Sequence, residues 1–478
     1  MPVTPETSAR MRRDALQLFT AADDPRPVHF VGVAGAGMSA LAELFVRRGL
    51  RVTGSDMSPT GNADLESLGV LVHRGHDAAF VDGARAVVAS SAIAPDHPEL
   101  ARATALALPI IRRAEALGAA VDGLDVVGVA GTHGKTTTTV MTTEALASAG
   151  LAPTGIVGGR VQAWGGNLRW GGGRTVVVEA DEYDRSFLAL HPSVATITNV
   201  EADHLDIYDD LADIERTFAE YASRARWVVR CMDDAGATRV PVASGADVIG
   251  YGLVARDGVR LLGTPTPDGM IVTFDGVPLV ASGDSVLRLR VPGDHNRRNA
   301  LAALGAGLAL GADFEALRPG LETFGGVERR FERKGEAGGV LVIDDYAHHP
   351  TELRATLEAA RAAFPGRRIV AAFQPHLYSR TRDFAGDFGD ALASGGDVVL
   401  LTDIYKAREA PIPGVTSALI ADAAARAGRA AAWMGARADV TAALAATVRP
   451  GDVVLTLGAG DITAVGPELL AMLAGGDA

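Results

Sequence analysis

The chain has 478 residues, too many for one ordinary hydrophobic core, and about three domains fit that length. Apolar content of 48% and charged content of 22% are those of a soluble globular protein. The 45 basic and 58 acidic residues leave a net charge of −13, which argues against a nucleic-acid or membrane-surface binder. Local clusters such as Arg112-Arg113 and Arg329-Arg330 can still hold an anion. Cys231 is the only cysteine. That excludes an intramolecular disulfide and a thiolate zinc site, and Cys231 reads best as a small buried hydrophobe. The first residues, MPVTPETSARMRRDA, lack an apolar signal core. No apolar run free of glycine and charge is long enough to cross a bilayer. A reducing cytoplasm and no membrane insertion are expected.

A first block spans residues 1–121. Val28–Val33 reads as a strand, and Met38, Leu41, Ala42 and Phe45 then recur on one helical face. Gly49 marks the helix stop. Leu50–Thr53, ending in Gly54-Ser55-Asp56, and Ala86–Ser90, running into Ser91-Ala92, are further strands. Alternating strands and helices predict an α/β, doubly wound parallel sheet. Gly35-Ala36-Gly37-Met38-Ser39-Ala40 fits GxGxxG/A after a strand, and Asp56 lies where a ribose-binding acid is expected. The pattern suits any nucleotide-like diphosphate. A glycine turn needed only for close packing is the competing explanation.

A second block spans 122–328 and opens on VVGVAGTHGKTTTT, Val126–Thr139. Val126-Val127 look like a strand end. The glycines bring backbone N–H groups close to an anion, Lys135 places a cation on outer phosphates, and the Thr136 hydroxyl suits Mg²⁺. The strict P-loop pattern wants glycine at 129, where Val129 stands. Glu179 ends the apolar strand TVVVE, a natural place for a Mg²⁺ ligand. Its neighbours Asp181, Glu182 and Asp184 read equally as a solvated acidic loop. His204 follows a third strand, Val194–Asn199. Imidazole is an unusual Mg²⁺ ligand, and on composition alone a loop histidine is the better reading. Residues 240–291 form short alternating runs, and Asp275-Gly276 within Gly269–Val280 is a hairpin signal. They predict a small antiparallel insertion. Helical patterning returns at Asn296–Leu310, with Asn296 and Asn299 on one face. Their amides suit a purine edge, and helix capping by Asn296 explains it equally well.

A third block, 329–478, alternates again. Its strands are Val340–Ile343, Arg368–Phe373, Val398–Leu401 and Val453–Thr456, with a helix from Thr351. Asp344–Pro350 (DDYAHHP) and Gln374–Thr381 (QPHLYSRT) crowd polar groups at two strand ends, where open α/β sheets bind ligands. Zinc at His348-His349 conflicts with Pro350 and with the lack of helical ligand spacing.

The ordered set HFVGVAGAGMSALA, GTHGKTTT, EADEYDRSFL, TNVEADHLDIY, PGDHNRRNALAA, RRFE, DDYAHHPTE, FQPHLYSRT and DIYKAREAPIPG resembles the Mur ligases, most closely their alanine-adding branch, over nearly the full length. The resemblance implies three α/β domains: a Rossmann-like UDP-binding domain (1–121), a central P-loop ATPase-type domain with the antiparallel insertion (122–328), and a Rossmann-like domain for the amino acid and part of the ATP (329–478). It implies ATP and Mg²⁺. The implied reaction joins L-alanine to the lactyl carboxylate of UDP-N-acetylmuramate through an acyl phosphate.

Carried over residue by residue, Gly131, Thr132, His133, Gly134, Lys135, Thr136 and Thr137 would hold the ATP phosphates. Thr136, Glu179 and His204 would hold Mg²⁺, a role the resemblance alone gives to His204. His295, Asn296 and Asn299 would face adenine, and Arg330 and Asp345 would complete the nucleotide site. Tyr346, His348, His376 and Arg380 would line the amino-acid and acyl-phosphate pocket. Gly35, Ala36, Gly37 and Asp56 would contact UDP. Lys135, Glu179, His204, Arg330, His348 and Arg380 are the expected catalytic set. Later-step relatives carry a carbamoylated lysine after the His204 motif, and Leu205–Arg230 contains no lysine. Competing readings are a recycling ligase that adds a preformed peptide, an NAD-dependent oxidoreductase resting on GAGMSA and Asp56, and a non-catalytic ATP switch. The sequence is silent on oligomeric state and on the choice among L-alanine, glycine and L-serine.

Overall fold

The structure, a computed structural model, describes residues 24–57, 63–90, 92–205, 207–279, 286–407 and 409–475. The N-terminal segment read for a signal core, Ser91 and Val280 lie outside the described residues. Three α/β sheets follow one another along the chain. The first takes β1 (Val28–Val31), β2 (Val52–Asp56), β3 (Leu71–Arg74), β4 (Ala86–Ala89) and β5 (Ile110–Arg112). All run parallel, in the order β3-β2-β1-β4-β5. The helix Ala36–Arg47 buries Met38, Leu41, Ala42 and Phe45, and Phe45 meets Phe30 of β1 edge-on at 5.5 Å. Gly49 ends it with φ +83°, the left-handed position glycine takes past a helix C-terminus. β2 begins later and runs further than Leu50–Thr53. Pairing with β1, from Val28↔Val52 to Val31↔Ser55, draws a poor strand former, Gly54-Ser55-Asp56, into the sheet.

The second sheet holds β6 (Asp125–Ala130), β7 (Thr154–Val161), β8 (Gly166–Arg169), β9 (Thr175–Glu179), β10 (Val194–Ile197), β11 (Trp227–Cys231), β12 (Asp247–Gly252), β13 (Val259–Thr266), β14 (Gly269–Phe274), β15 (Val277–Pro278) and β16 (Val286–Leu287). Its order is β15-β14-β13-β12-β11-β10-β6-β9-β7-β8, with β16 also on β14. The residues expected as a small antiparallel insertion do form antiparallel pairs, and they extend this sheet at one edge. β12 pairs parallel with β11 and β13, while β13, β14, β15 and β16 pair antiparallel at this end of the sheet and β7 and β8 at the other. Asp275 and Gly276 both have positive φ, +49° and +79°, as a two-residue hairpin turn of that twist requires.

The third sheet contains β17 (Glu332–Ala337), β18 (Val340–Asp345), β19 (Ile369–Phe373), β20 (Val398–Thr402), β21 (Trp433–Gly435) and β22 (Val453–Leu457). Its order is β17-β18-β22-β19-β20-β21, parallel except for β17. β19 and β22 are buried throughout, as strands covered on both faces must be.

The chain divides into two compact units, Met1–Arg288 with Arg298–Phe324, and Leu289–Arg297 with Gly325–Ala478. Within the first unit the two sheets are joined closely. Asn167 Nδ2 donates to the Ala36 carbonyl at 3.2 Å, and the helix Arg113–Val121 lies against the Tyr183–Ala189 segment. A Cβ built at Gly118 falls 2.3 Å from the Ala189 carbonyl oxygen. In an exposed helix, glycine to alanine stabilises by about 1 kcal/mol. Overpacking against fixed backbone costs roughly 1–3 kcal/mol. Gly118→Ala is therefore expected to lower the thermal midpoint; a raised midpoint refutes the close approach.

Candidate functional site

β6 is buried through Val129 and Ala130, so the strand continues past Val127 and the turn begins at Gly131. Gly131 has φ +143°, and Gly134, at φ +79°, caps the helix Lys135–Ser148. A Cβ at Gly131 would lie 2.0 Å from Thr198 Oγ1, and one at Gly134 2.8 Å from Asn299 Oδ1. The turn is held by the segment that follows β10. Thr198 Oγ1 donates to the His133 carbonyl at 2.6 Å, and Asn199 Oδ1 accepts from His133 N at 2.8 Å. Thr132 N donates to the Asn199 carbonyl at 3.1 Å, and Thr132 Oγ1 accepts from Glu201 N at 2.9 Å.

Lys135 Nζ donates to the Gly131 carbonyl at 2.7 Å and pairs with Glu182 Oε2 at 2.8 Å. Burial alone would lower the ammonium's pKa. The charges of Glu182, Asp181 and Glu179 outweigh it and hold Lys135 protonated. Burial drives the Glu182 carboxyl up from 4.5 to about 7, against the Lys135 charge that pulls it down. Thr136 Oγ1 donates to Glu179 Oε1 at 2.9 Å, and Gly158 N to Glu179 Oε2 at 2.7 Å. A hydroxyl and a carboxylate side by side are oxygen donors of the kind Mg²⁺ takes. Thr137 is buried behind them. His204, at φ +55°, lies 3.8 Å from Glu182 Oε1 and from Asp203 Oδ2, and its ring meets Tyr183 edge-on at 5.1 Å.

In the first sheet Gly35 is the N-cap of the helix that starts at Ala36. Asp56 Oδ2 accepts from Ala34 N at 2.9 Å, so this carboxylate also braces the turn. A Cβ at Gly37 would lie 3.1 Å from Arg113 Nη1, which places a guanidinium over the helix start. A cavity of about 280 Å³ runs from this turn to the second sheet, lined by Gly35, Ala36, Gly37, Arg113, Glu179 and Asp181 among others.

The helix Asp294–Ala309 carries His295, Asn296 and Asn299. Asn296 lies inside the first turn and its amide donates to the Pro292 carbonyl at 2.7 Å, so it does not cap the helix.

In the second unit, Asp345 ends β18 almost fully buried, accepting from Phe331 N and Ala347 N, each at 2.8 Å. Burial lifts its carboxyl from 3.8 to about 6, with Arg330 pulling the other way. The Arg330 guanidinium covers the Tyr346 ring at 5.1 Å and donates to Glu352 Oε1 at 3.3 Å. His348 Nδ1 lies 3.1 Å from Glu352 Oε2, and its ring meets His376 at 5.7 Å. His376 stacks on Tyr405 at 5.8 Å. Arg380 is buried in the first turn of the helix Tyr378–Gly395. The structure thus gathers Tyr346, His348, His376 and Arg330.

The sequence reading passed over Glu182, Asn199, Glu352 and Tyr405. Glu182 sat in an acidic run that read equally as solvated. Asn199, next to a strand end facing the phosphate loop, carried a positional signal.

Three family models match the chain: "Mur ligase family, catalytic domain" over residues 27–123, "Mur ligase middle domain" over 129–307, and "Mur ligase, glutamate ligase domain" over 329–460. Among similar proteins, the UDP-N-acetylmuramate–L-alanine ligase of Salinibacter ruber is 47% identical, covering 91% of this chain and 93% of that protein. The enzyme of the same name from Streptomyces griseus is 46% identical, covering 94% and 97%. Among solved structures, the UDP-N-acetylmuramate–alanine ligase of Thermotoga maritima superposes with a TM-score of 0.77 at 29% identity, covering 94% of this chain and 99% of that one. The murein peptide ligase of Psychrobacter arcticus, at 22% identity and TM-score 0.68, shares the fold. The glycine turn that read as a dehydrogenase signature falls within the first of these matches. The chain belongs to the Mur ligase family.

Proposed function

We propose that this chain is an ATP-dependent ligase that joins L-alanine to the lactyl carboxylate of UDP-N-acetylmuramate, an early cytoplasmic step in making peptidoglycan precursor. The observation that carries the reading is the cavity joining the Gly35–Gly37 turn to Glu179. It connects a diphosphate cradle to the acid beside the phosphate loop, where a tethered carboxylate would meet a γ-phosphate. Among the described residues no helix is long and apolar enough to cross a membrane.

The division of labour follows the three blocks, 1–121 for the UDP-sugar, 122–328 for ATP and 329–478 for the amino acid and part of the ATP. Gly35, Ala36, Gly37 and Asp56, with Arg113, hold the UDP diphosphate and ribose. The turn Gly131–Gly134 and the helix start at Lys135, Thr136 and Thr137 hold the ATP phosphates. Thr136, Glu179 and His204 hold Mg²⁺, which supplies charge neutralisation to the phosphates when bound. A carboxylate is a poor electrophile. Its oxygen attacks the γ-phosphorus, ADP leaves, and the resulting acyl phosphate carries a good leaving group. The L-alanine amine then attacks the acyl carbon and phosphate departs. Lys135 neutralises the transferring phosphoryl group. His295, Asn296 and Asn299 serve the adenine side, and Arg330 and Asp345 the phosphates. Tyr346, His348, His376 and Arg380 hold the amino acid and the acyl phosphate.

Phosphate release from ATP is expected to require both UDP-N-acetylmuramate and L-alanine, measured by a coupled phosphate assay. Release in the absence of either substrate, or with a tripeptide preferred to L-alanine, sinks the reading. Lys135→Ala is expected to lower kcat by at least about 100-fold; near-normal turnover refutes its role. Arg113→Ala removes one charge-assisted phosphate contact, worth about 1.5–3 kcal/mol. Its KM for the UDP-sugar is expected to rise by about one to two orders of magnitude, with KM for ATP unchanged. An unchanged KM for the UDP-sugar rejects the placement of Arg113 on the diphosphate.

A further inference from the structure

A second polar cluster lies in the first sheet, on the face away from the glycine-turn helix. Phe30 packs on that helix through Phe45, so strand alternation turns its neighbour His29 to the opposite face. There His29 Nδ1 lies 2.9 Å from Thr53 Oγ1, and His29 Nε2 lies 2.9 Å from Glu99 Oε2. Ser55 Oγ donates to Glu99 Oε2 at 2.7 Å, and His76 Nδ1 lies 2.9 Å from Glu99 Oε1. Glu99 is fully buried. The His97 ring meets His76 edge-on at 4.5 Å. Both ring nitrogens of His97 are buried without a hydrogen-bond partner.

We propose that His76, His97 and Glu99 form a binding site for one divalent transition-metal ion of the zinc class. One ligand atom from each residue lies within 4.8 Å of the other two, close enough to converge on a single ion. The charge state fits. Burial pushes the His97 imidazole below its usual range, leaving a lone pair free. Burial works against ionisation of Glu99, but bonds from His29, Ser55 and His76 prevail and hold its carboxyl below the usual range. Among the described residues the ion-pair partners of Glu99 are His29 and His76. No Lys or Arg pairs with that buried carboxylate among the described residues, and burying a charge without a strong counter-ion is costly; a divalent cation balances it and gives His97 the partner it lacks.

Two imidazoles and one carboxylate suit zinc, cobalt or nickel better than Mg²⁺ or Ca²⁺, which take oxygen. His29 and Ser55 hold the Glu99 oxygen turned away from His76, the outer bracing that orients a metal-binding carboxylate. His97 caps the helix Pro98–Ala105, and His76 follows β3 just past Gly75. The ion would tie the exit of β3 to the start of that helix and so act as a staple.

The test uses the full chain, stripped with a chelator and titrated with Zn²⁺ in excess Mg²⁺ against a chromophoric competitor. His97→Ala removes no hydrogen bond, and its melting curve without Zn²⁺ checks that it folds. The expected result is one ion per wild-type chain, at least about tenfold weaker binding in His97→Ala and in His76→Ala, and a Zn²⁺-dependent rise in melting temperature that both variants lose. No uptake by the wild type, or uptake equal in both variants, overturns the proposal.

Discussion

The site depends on the way Thr198 and Asn199, the two residues after β10, strap the phosphate loop. Its loop carbonyl at His133 accepts from both Thr198 and Asn199, and Asn199 returns a bond to the His133 amide. β10 is the parallel neighbour of β6, so one sheet register sets the loop and its strap together. The glycine at 131 follows from the same fact, because Thr198 Oγ1 occupies the space a side chain would need. The departure from the strict phosphate-loop pattern at Val129 then has a structural cause. Val129 is fully buried inside β6, a strand position where a side chain is wanted. The turn starts two residues later, and its glycines stand there.

A chain with a net charge of −13 holds its anion site by local means. Lys135 is saturated before any ligand arrives, by two loop carbonyls and by Glu182. Glu182 is itself fixed, since Tyr208 donates to its backbone carbonyl at 2.6 Å. In the proposed role of Lys135, a phosphate at the loop would exchange with Glu182 as the counter-ion of this ammonium. Leaving a buried ammonium unpaired would cost more than the exchange. The acidic run Glu179–Asp184 thus divides by position. Glu179 faces Thr136, Glu182 faces Lys135, and Asp184 stands at φ +55° on the outer turn.

The parts of this fold that were legible in the sequence are those where local chemistry and tertiary pairing agree. TVVVE and Arg368–Phe373 read as strands of an α/β sheet and Asp275-Gly276 as a hairpin turn, and the structure has them so. Gly54-Ser55-Asp56 read only as the end of a strand, and their full membership of β2 comes from pairing with β1. The continuation of the central sheet into β12, β13 and β14 was hidden for a similar reason. Short alternating runs show a hairpin, but not the larger sheet whose edge it prolongs. In the site, Lys135, Thr136 and Glu179 were visible from spacing, and Glu182 was not, since an acidic loop and a buried counter-ion share one spelling. His204 entered only by resemblance. The structure sets it against Glu182, Asp203 and Tyr183.

That setting bears on the metal-ligand role proposed for the His204 imidazole. Glu182 lies between Lys135 and His204: both of its oxygens are within 2.9 Å of the ammonium, and Oε1 is also 3.8 Å from the His204 ring nitrogen. One carboxylate thereby orients both the residue assigned to the phosphates and the residue assigned to the metal. His204 reaches this position only with a left-handed backbone, which a non-glycine residue adopts at a cost of order 1–3 kcal/mol. Its main chain is held there by the bond from His204 N to Asp203 Oδ1 at 2.8 Å and by Ile207 N and Tyr208 N, which both donate to the His204 carbonyl. Tyr208 then closes the circuit through the Glu182 carbonyl. The strained residue, its brace and the shared counter-ion form one connected unit that links Lys135 of the loop to His204.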